Sequence, residues 1–157
     1  MGFKNIIERF AINYAHNTMQ KSLYNGLNID ILDQKYVKTP RENTEYMLYA
    51  HVPFCHTFCP YCSFHKYHYE QELAKIYFEN LRQEMRQVKA AGFDFGSLYV
   101  GGGTTLINEP ELEKTLVLAK ELFSIKNVSC ESDPNHIQPE NLKRFQGLID
   151  RLSVGVQ

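Results

Sequence analysis

Residues 97–131 read SLYVGGGTTLINEPELEKTLVLAKELFSIKNVSCE. Ser97 to Val100 is a short apolar run that stops at Gly101-Gly102-Gly103. Asn108-Glu109-Pro110-Glu111 then has the form of a capping box with proline in the first helical turn. The helix it opens carries Leu112, Leu116, Ala119 and Phe123 at helical spacing, and Val128 to Glu131 is a further strand candidate. A buried strand, a helix and another buried strand are the repeating unit of a parallel α/β sheet.

The same alternation extends to both sides. Met47 to Val52, bounded by Pro53, reads as a strand, and residues 69–91 read as a helix. That helix places Leu73, Tyr77, Leu81, Met85 and Val88 on one face and ends at Gly92. Downstream, Pro139 opens a short helix with Leu142 and Phe145, closed by Gly147, and Leu152 to Val156 is a fourth strand. The order is β-α-β-α-β-α-β, which fits a doubly wound or a barrel-like sheet. Upstream, residues 1–24 read as an amphipathic helix with Phe3, Ile6, Ile7, Phe10, Ala11 and Tyr14 in its stripe. Asn25-Gly26 breaks it, and residues 27–45 form a polar connector. The expected organisation is a leader over 1–45 and a core over 46–157. The strand pattern stops at Gln157 without a crossover helix, and a closed eight-unit barrel needs about 250 residues. The expectation is the front part of a longer protein.

Composition excludes several classes. Of 157 residues, 43% are hydrophobic and 22% charged, which is globular rather than disordered. Seventeen basic and eighteen acidic residues leave a charge of −1, without the basic excess of a nucleic-acid binder. No apolar run of roughly 18 residues is present to span a membrane, and Met1 to Phe10 lacks a secretory core. A cytoplasmic location is expected. In that setting, three of the four cysteines within eight positions point to metal or redox chemistry.

Those three, Cys55, Cys59 and Cys62, follow the first strand with C-x3-C-x2-C spacing. Soft thiolates select iron–sulfur clusters, zinc or copper(I). Three cysteines on a four-iron cluster leave one iron open to a small molecule. A zinc knuckle completed by His51, His56, His65 or His68 is the alternative, as are unliganded thiols. His56 and His65 can also tune a cluster by hydrogen bonds to sulfur. Gly101 to Thr104 lets backbone approach a ligand and offers N–H groups to an anion, although such a run can be only a turn. Glu131 can accept hydrogen bonds from a ribose or an amine, whereas Asp133 before Pro134 also reads as a turn residue. Cys130 points to the opposite face from Glu131, as a buried thiol. Cysteine loop, glycine run, acidic pair and Gln157 each fall at the carboxyl end of a separate strand, the ligand-binding edge of parallel α/β folds.

Tyr49 to Cys62 resembles the cluster-binding signature of the radical S-adenosylmethionine superfamily. More narrowly, it is similar to the oxygen-independent coproporphyrinogen III oxidase family, with its YxHxPFCxxxCxxC pattern. Gly101 to Thr104 matches that family's GGGT segment, Glu131 to Pro134 its E-x-D-P segment, and Arg151 to Gln157 its R-[IL]-S-x-G-V-Q segment. The resemblance covers residues 46–157. It implies a partial (β/α) barrel of four strands with three intervening helices and a [4Fe–4S] cluster on Cys55, Cys59 and Cys62. It further implies an S-adenosylmethionine site at Tyr49, Tyr61, Gly102, Gly103, Thr104, Glu131 and Gln157. Reductive cleavage of that cofactor would release a 5′-deoxyadenosyl radical to abstract hydrogen from a tetrapyrrole. The implied partners are a tetrapyrrole or haem and a reductase or flavodoxin/ferredoxin-type electron donor. No residue is assigned to the abstraction itself. Two departures stand out. Thr105 replaces a proline. Phe64 replaces the fourth cysteine of the porphyrinogen dehydrogenases and is typical of the haem-chaperone and haem-degrading methyltransferase branches. Against the chaperone branch, 48 residues precede Tyr49. The branch stays open, and an inactive truncated remnant is the remaining alternative.

Overall fold

The structure is a computed structural model that describes Tyr14, Thr18 and residues 39–156. The chain divides into two compact units, Met1–Val37 and Lys38–Gln157. In the first, Tyr14 and Thr18 are helical, and Thr18 Oγ1 donates to the Tyr14 carbonyl at 2.7 Å. The rest of the helix expected over 1–24 lies outside the described residues.

The second unit runs β1 (Met47–Val52), β2 (Phe54–Cys55), β3 (Tyr67–His68), α1 (Gln71–Ala90), β4 (Ser97–Gly102), α2 (Glu109–Leu122), β5 (Asn127–Ser132), α3 (Pro139–Arg144) and β6 (Arg151–Val154). The four longer strands form one parallel sheet in the order β1-β4-β5-β6. Each is laid beside its predecessor and the order never reverses. A doubly wound sheet reverses at a switch point, so this is the winding of a barrel, here partial.

Alternation along the strands divides the two faces. Ala50, Val52, Leu98, Val100, Val128 and Cys130 are buried in one core with Ala74, Phe78 and Met85 of α1 and Leu112, Leu116 and Ala119 of α2. The intervening residues lie on the other face. There the register sets Tyr49 beside Tyr99, Tyr99 beside Ser129, and Ser129 beside Arg151.

Several details differ from the periodicity reading. The glycine run is the end of β4 rather than a loop, since Gly101 and Gly102 pair with His51 and Val52. Of the expected stripe of α1, Met85 is buried and Tyr77, Leu81 and Val88 pack against the core, but Leu73 is exposed and the most buried line is Ala74, Phe78, Arg82 and Met85. Arg82 lies within that line. Its Nη2 meets Glu111 Oε2 at 2.8 Å and its Nη1 meets Thr115 Oγ1 at 3.2 Å, joining α1 to α2. Asn108 caps α2 by accepting from the Glu111 N–H at 3.4 Å, but the Glu111 carboxylate is engaged by Arg82 and Lys114 instead of closing the box. Burial pushes the Glu111 carboxyl up, and the hydrogen bonds from Lys114 and Arg82 outweigh it, leaving the group below its ordinary value. The pair β2–β3 was not legible in sequence, because a two-residue parallel ladder has no periodicity to detect.

Removing one member of a buried ion pair strands the other charge. Arg82→Ala is expected to lower the unfolding free energy by about 3 kcal/mol in urea titrations. At the other end of the helices, hydrogen bonds from the Ser124 hydroxyl and N–H hold the Asp94 carboxyl down at about 2, from an ordinary 3.8. A depressed carboxylate stabilises the fold fully above its unfolded value, and the contribution fades as pH falls toward its folded value. The melting temperature of Asp94→Ala is therefore expected below wild type at pH 7, with the gap closing between about pH 4 and pH 2.

Candidate cofactor-binding site

The cysteine loop leaves the sheet at the carboxyl end of β1. The β2–β3 ladder closes its base: Tyr67 N–H donates to the Pro53 carbonyl at 2.7 Å and Tyr69 N–H to the Cys55 carbonyl at 3.0 Å. Within the loop, the Cys62 N–H donates to the Cys59 carbonyl at 3.1 Å, making a tight turn. Lys66 Nζ caps that turn, donating to the Cys62 carbonyl at 2.9 Å, and lies 5.5 Å from the Phe58 ring centre. Cys59 is exposed, and Cys55 and Cys62 are partly exposed. Hydrogen bonding by the Phe64 backbone and by Lys66 lowers the Cys62 thiol below its ordinary value. Tyr61 is exposed on the same loop, and a hydrogen bond with Cys59 raises its hydroxyl. Among the described residues, no three His, Cys, Asp or Glu side chains are gathered as ligands of a single ion. The donor set is three soft thiols on one accessible loop, which suits a cluster whose thiolates each bind a different iron.

The glycine run packs against the root of this loop. Gly103 N–H donates to the Val52 carbonyl at 2.7 Å and Thr104 N–H to the Phe54 carbonyl at 2.8 Å. These two N–H groups are thus used within the protein and are not offered to an anion. A Cβ on Gly103 would stand 2.6 Å from the Phe54 carbonyl oxygen and 2.8 Å from Cys55 Sγ. One on Gly102, whose φ is +121°, would stand 2.7 Å from His51 Cε1 and 2.8 Å from the Val52 oxygen. Only glycine permits this approach.

Glu131 reaches the same edge from β5. Its Oε1 accepts from the Tyr99 hydroxyl, and its Oε2 lies 3.1 Å from the place a Gly101 Cβ would take. Tyr49 and Tyr99 stack with ring centres 6.1 Å apart. Tyr49 OH lies 2.9 Å from His51 Nδ1, and His51 Nε2 lies 3.2 Å from the His65 carbonyl. A carbonyl only accepts, so the network assigns the proton to Nε2 and makes Tyr49 the donor to Nδ1. Burial, then the Glu131 charge, raises the Tyr49 hydroxyl.

The structure therefore gathers Tyr49, Gly101, Gly102, Gly103, Glu131 and Cys55 along one edge, with Thr104 hydrogen-bonded to Phe54. Asp133 is a turn residue, accepting from the Asn135 N–H at 2.8 Å and pairing with His136 Nδ1 at 2.9 Å. Cys130 is buried at 3.0 Å from Thr105 Oγ1, and burial pushes its thiol up to about 11. Gln157 lies outside the described residues. Sequence reasoning missed the roles of two residues. Thr105 is fully buried and donates to the Glu131 carbonyl, tying the glycine run to β5. Tyr99 holds the Glu131 carboxylate, a contact between strands that no local sequence signal marked. A cleft of about 440 Å³, lined by Leu106, Leu142, Phe145, Ile149 and Leu152 among others, includes none of the site residues.

The Radical SAM superfamily profile matches residues 49–157, spanning both the cysteine loop and the four-stranded sheet. The chain belongs to the radical SAM superfamily. Among curated proteins it is similar to the heme chaperone HemW of Bacillus subtilis (strain 168), 32% identical over 117 residues, 69% of this chain and 31% of that protein. It is also similar to the oxygen-independent coproporphyrinogen III oxidase of Helicobacter pylori (strain J99), 32% identical over 158 residues, 94% of this chain and 32% of that protein. The solved structure of coproporphyrinogen III oxidase (HemN) from Escherichia coli, described as a radical SAM enzyme, aligns with a TM-score of 0.62 at 30% identity, covering 72% of this chain and 28% of that one. The chain thus spans about a third of the length of these curated relatives. The parallel sheet with its helices matches the radical SAM fold of that structure as a partial barrel. No helix among the described residues is long and apolar enough to cross a membrane.

The glycine contacts carry a direct test. Gly103→Ala places a methyl group against backbone, which cannot move aside as a side-chain end can. Overpacking of this kind costs about 1–3 kcal/mol. A lowered melting temperature is expected for Gly103→Ala, whereas Gly96→Ala, with nothing within 4 Å of its Cβ, should melt close to wild type.

Proposed function

We propose that this protein is a radical S-adenosylmethionine oxidoreductase of porphyrin and haem metabolism, similar to oxygen-independent coproporphyrinogen III oxidase and acting in the cytoplasm. In this reading residues 46–157 are the radical SAM core and 1–45 a separate leader. The observation that carries it is the contact of the glycine run with the first cysteine, with Glu131 on the same edge of the sheet. Cys55, Cys59 and Cys62 would hold a [4Fe–4S] cluster. Tyr49, Tyr61, Gly102, Gly103, Thr104, Glu131 and Gln157 would bind S-adenosylmethionine. When bound, these two groups together would supply one-electron reductive cleavage chemistry for hydrogen abstraction from a tetrapyrrole. The protein's share is placement. The β2–β3 ladder sets the loop at the sheet edge, the glycines bring the β4 backbone against it, and Glu131 presents an acceptor to hydroxyl or amino groups. A reductase or a flavodoxin- or ferredoxin-type protein would supply the electron at the exposed loop.

A second reading, a haem chaperone, is favoured by Phe64 in place of a fourth cysteine and by the similarity to HemW.

Anaerobic reconstitution tests the first reading. About four irons per chain are expected in the wild type, and their loss in Cys59→Ser and Cys62→Ser. Dithionite-reduced protein with S-adenosylmethionine is expected to release 5′-deoxyadenosine. A fully loaded protein that releases none overturns the enzyme reading. Stoichiometric haem uptake in that same protein would establish the chaperone instead.

A further inference from the structure

Tyr99 lies on β4 beside Tyr49 of β1 and Ser129 of β5, on the face of the sheet away from the helices. Its ring is stacked on Tyr49 at an interplanar angle of 23°. Its hydroxyl has one proton to give and gives it to Glu131 Oε1. Glu131 Oε2 is left turned over Gly101, where side-chain atoms of Glu131, Tyr99 and Tyr49 all lie within 3.2 Å of the position a Cβ would occupy. The absence of a side chain at Gly101 leaves room for three groups to converge on one point.

A glutamate carboxylate rotates freely about its last torsion, a broad sp³–sp² rotor without sharp minima. A donor on one oxygen removes that freedom and fixes where the other oxygen points. We infer that Tyr99 is a positioning residue that locks the Glu131 carboxylate, so that Oε2 lies over Gly101 as acceptor for a hydroxyl or ammonium donor of the ligand. The inference rests on the cofactor reading given above. The hydrogen bond to Glu131 also raises the Tyr99 hydroxyl above its ordinary value, so the group stays protonated and remains a donor. The shared ligand chemistry is a hydrogen-bond donor, which S-adenosylmethionine carries both on its ribose and on its amino group.

Equilibrium dialysis of the full protein, prepared without oxygen, measures S-adenosylmethionine affinity in wild type, Tyr99→Phe, Glu131→Gln and the double variant. Tyr99→Phe keeps the ring and the strand, so its melting temperature should stay at the wild-type value. Its affinity is expected to fall roughly tenfold, the scale of one hydrogen bond to a charged group. Glu131→Gln should lose at least as much. The double variant should bind no more weakly than Glu131→Gln alone, because Tyr99 acts through Glu131. Competition by adenosine and by methionine then assigns the donor. If Tyr99→Phe impairs only adenosine competition, the ribose is the partner of Oε2; if only methionine competition, the ammonium is.

Wild-type affinity in Tyr99→Phe, or losses that add in the double variant, overturns the inference while leaving the cofactor reading intact. Wild-type affinity in Glu131→Gln overturns both the inference and the place of Glu131 in that reading.

Discussion

The rest of the site depends on backbone meeting backbone where β4 ends. Gly102 and Gly103 lie against the Val52 and Phe54 carbonyls with no space for a side chain on either. Two N–H groups close the contact, from Gly103 to Val52 and from Thr104 to Phe54. This docks the last turn of β4 onto the root of the cysteine loop. It also brings Cys55 Sγ and the Gly103 backbone together, and it holds the loop at the sheet edge. Any Cβ at these positions would push the loop away from the strand, which is why the glycines matter more here as absent volume than as flexible backbone.

The sheet divides its labour between its faces. One face is apolar and carries the helices, so the core lies on that side alone. The other carries Tyr49, His51, Tyr99 and Glu131, a set that no hydrophobic core would tolerate without partners. Here the partners are one another. Tyr49 bonds to His51, His51 to the carbonyl of His65, and Tyr99 to Glu131. The His51 link ties the strand to His65 within the cysteine loop, while β2–β3 joins the two ends of the loop at its base. Thr105 works from beneath, fixing the Glu131 backbone against the turn that follows the glycines.

The helices are held by a different means. Arg82 and Glu111 are both buried, and their charges are compensated by each other, by Thr115 and by the exposed Glu79 and Lys114. Such a pair adds little net stability over an apolar contact of the same volume, but it penalises any arrangement that separates its members. It therefore sets the rotation of α1 about its axis. At that rotation Phe78 and Ala74 are buried in the core and Leu73 is not.

Much of this was determined by sequence alone. Short apolar runs followed by helical stripes place four parallel strands within a residue or two, because burial of a strand or a helix face needs only local periodicity. The cysteine spacing, the glycine run and Glu131 were legible as chemistry, because each is a run of unusual residue types at a strand end. Three features were decided only by the tertiary structure. The β2–β3 ladder pairs residues 54–55 with 67–68, and nothing local marks so short a non-local contact. The rotation of α1 follows from an ion pair between residues 29 positions apart. The roles of Tyr99 and Thr105 arise from hydrogen bonds that span 32 and 26 positions. Local pattern fixes which face of an element is apolar, whereas partners of polar groups depend on which elements the fold makes neighbours.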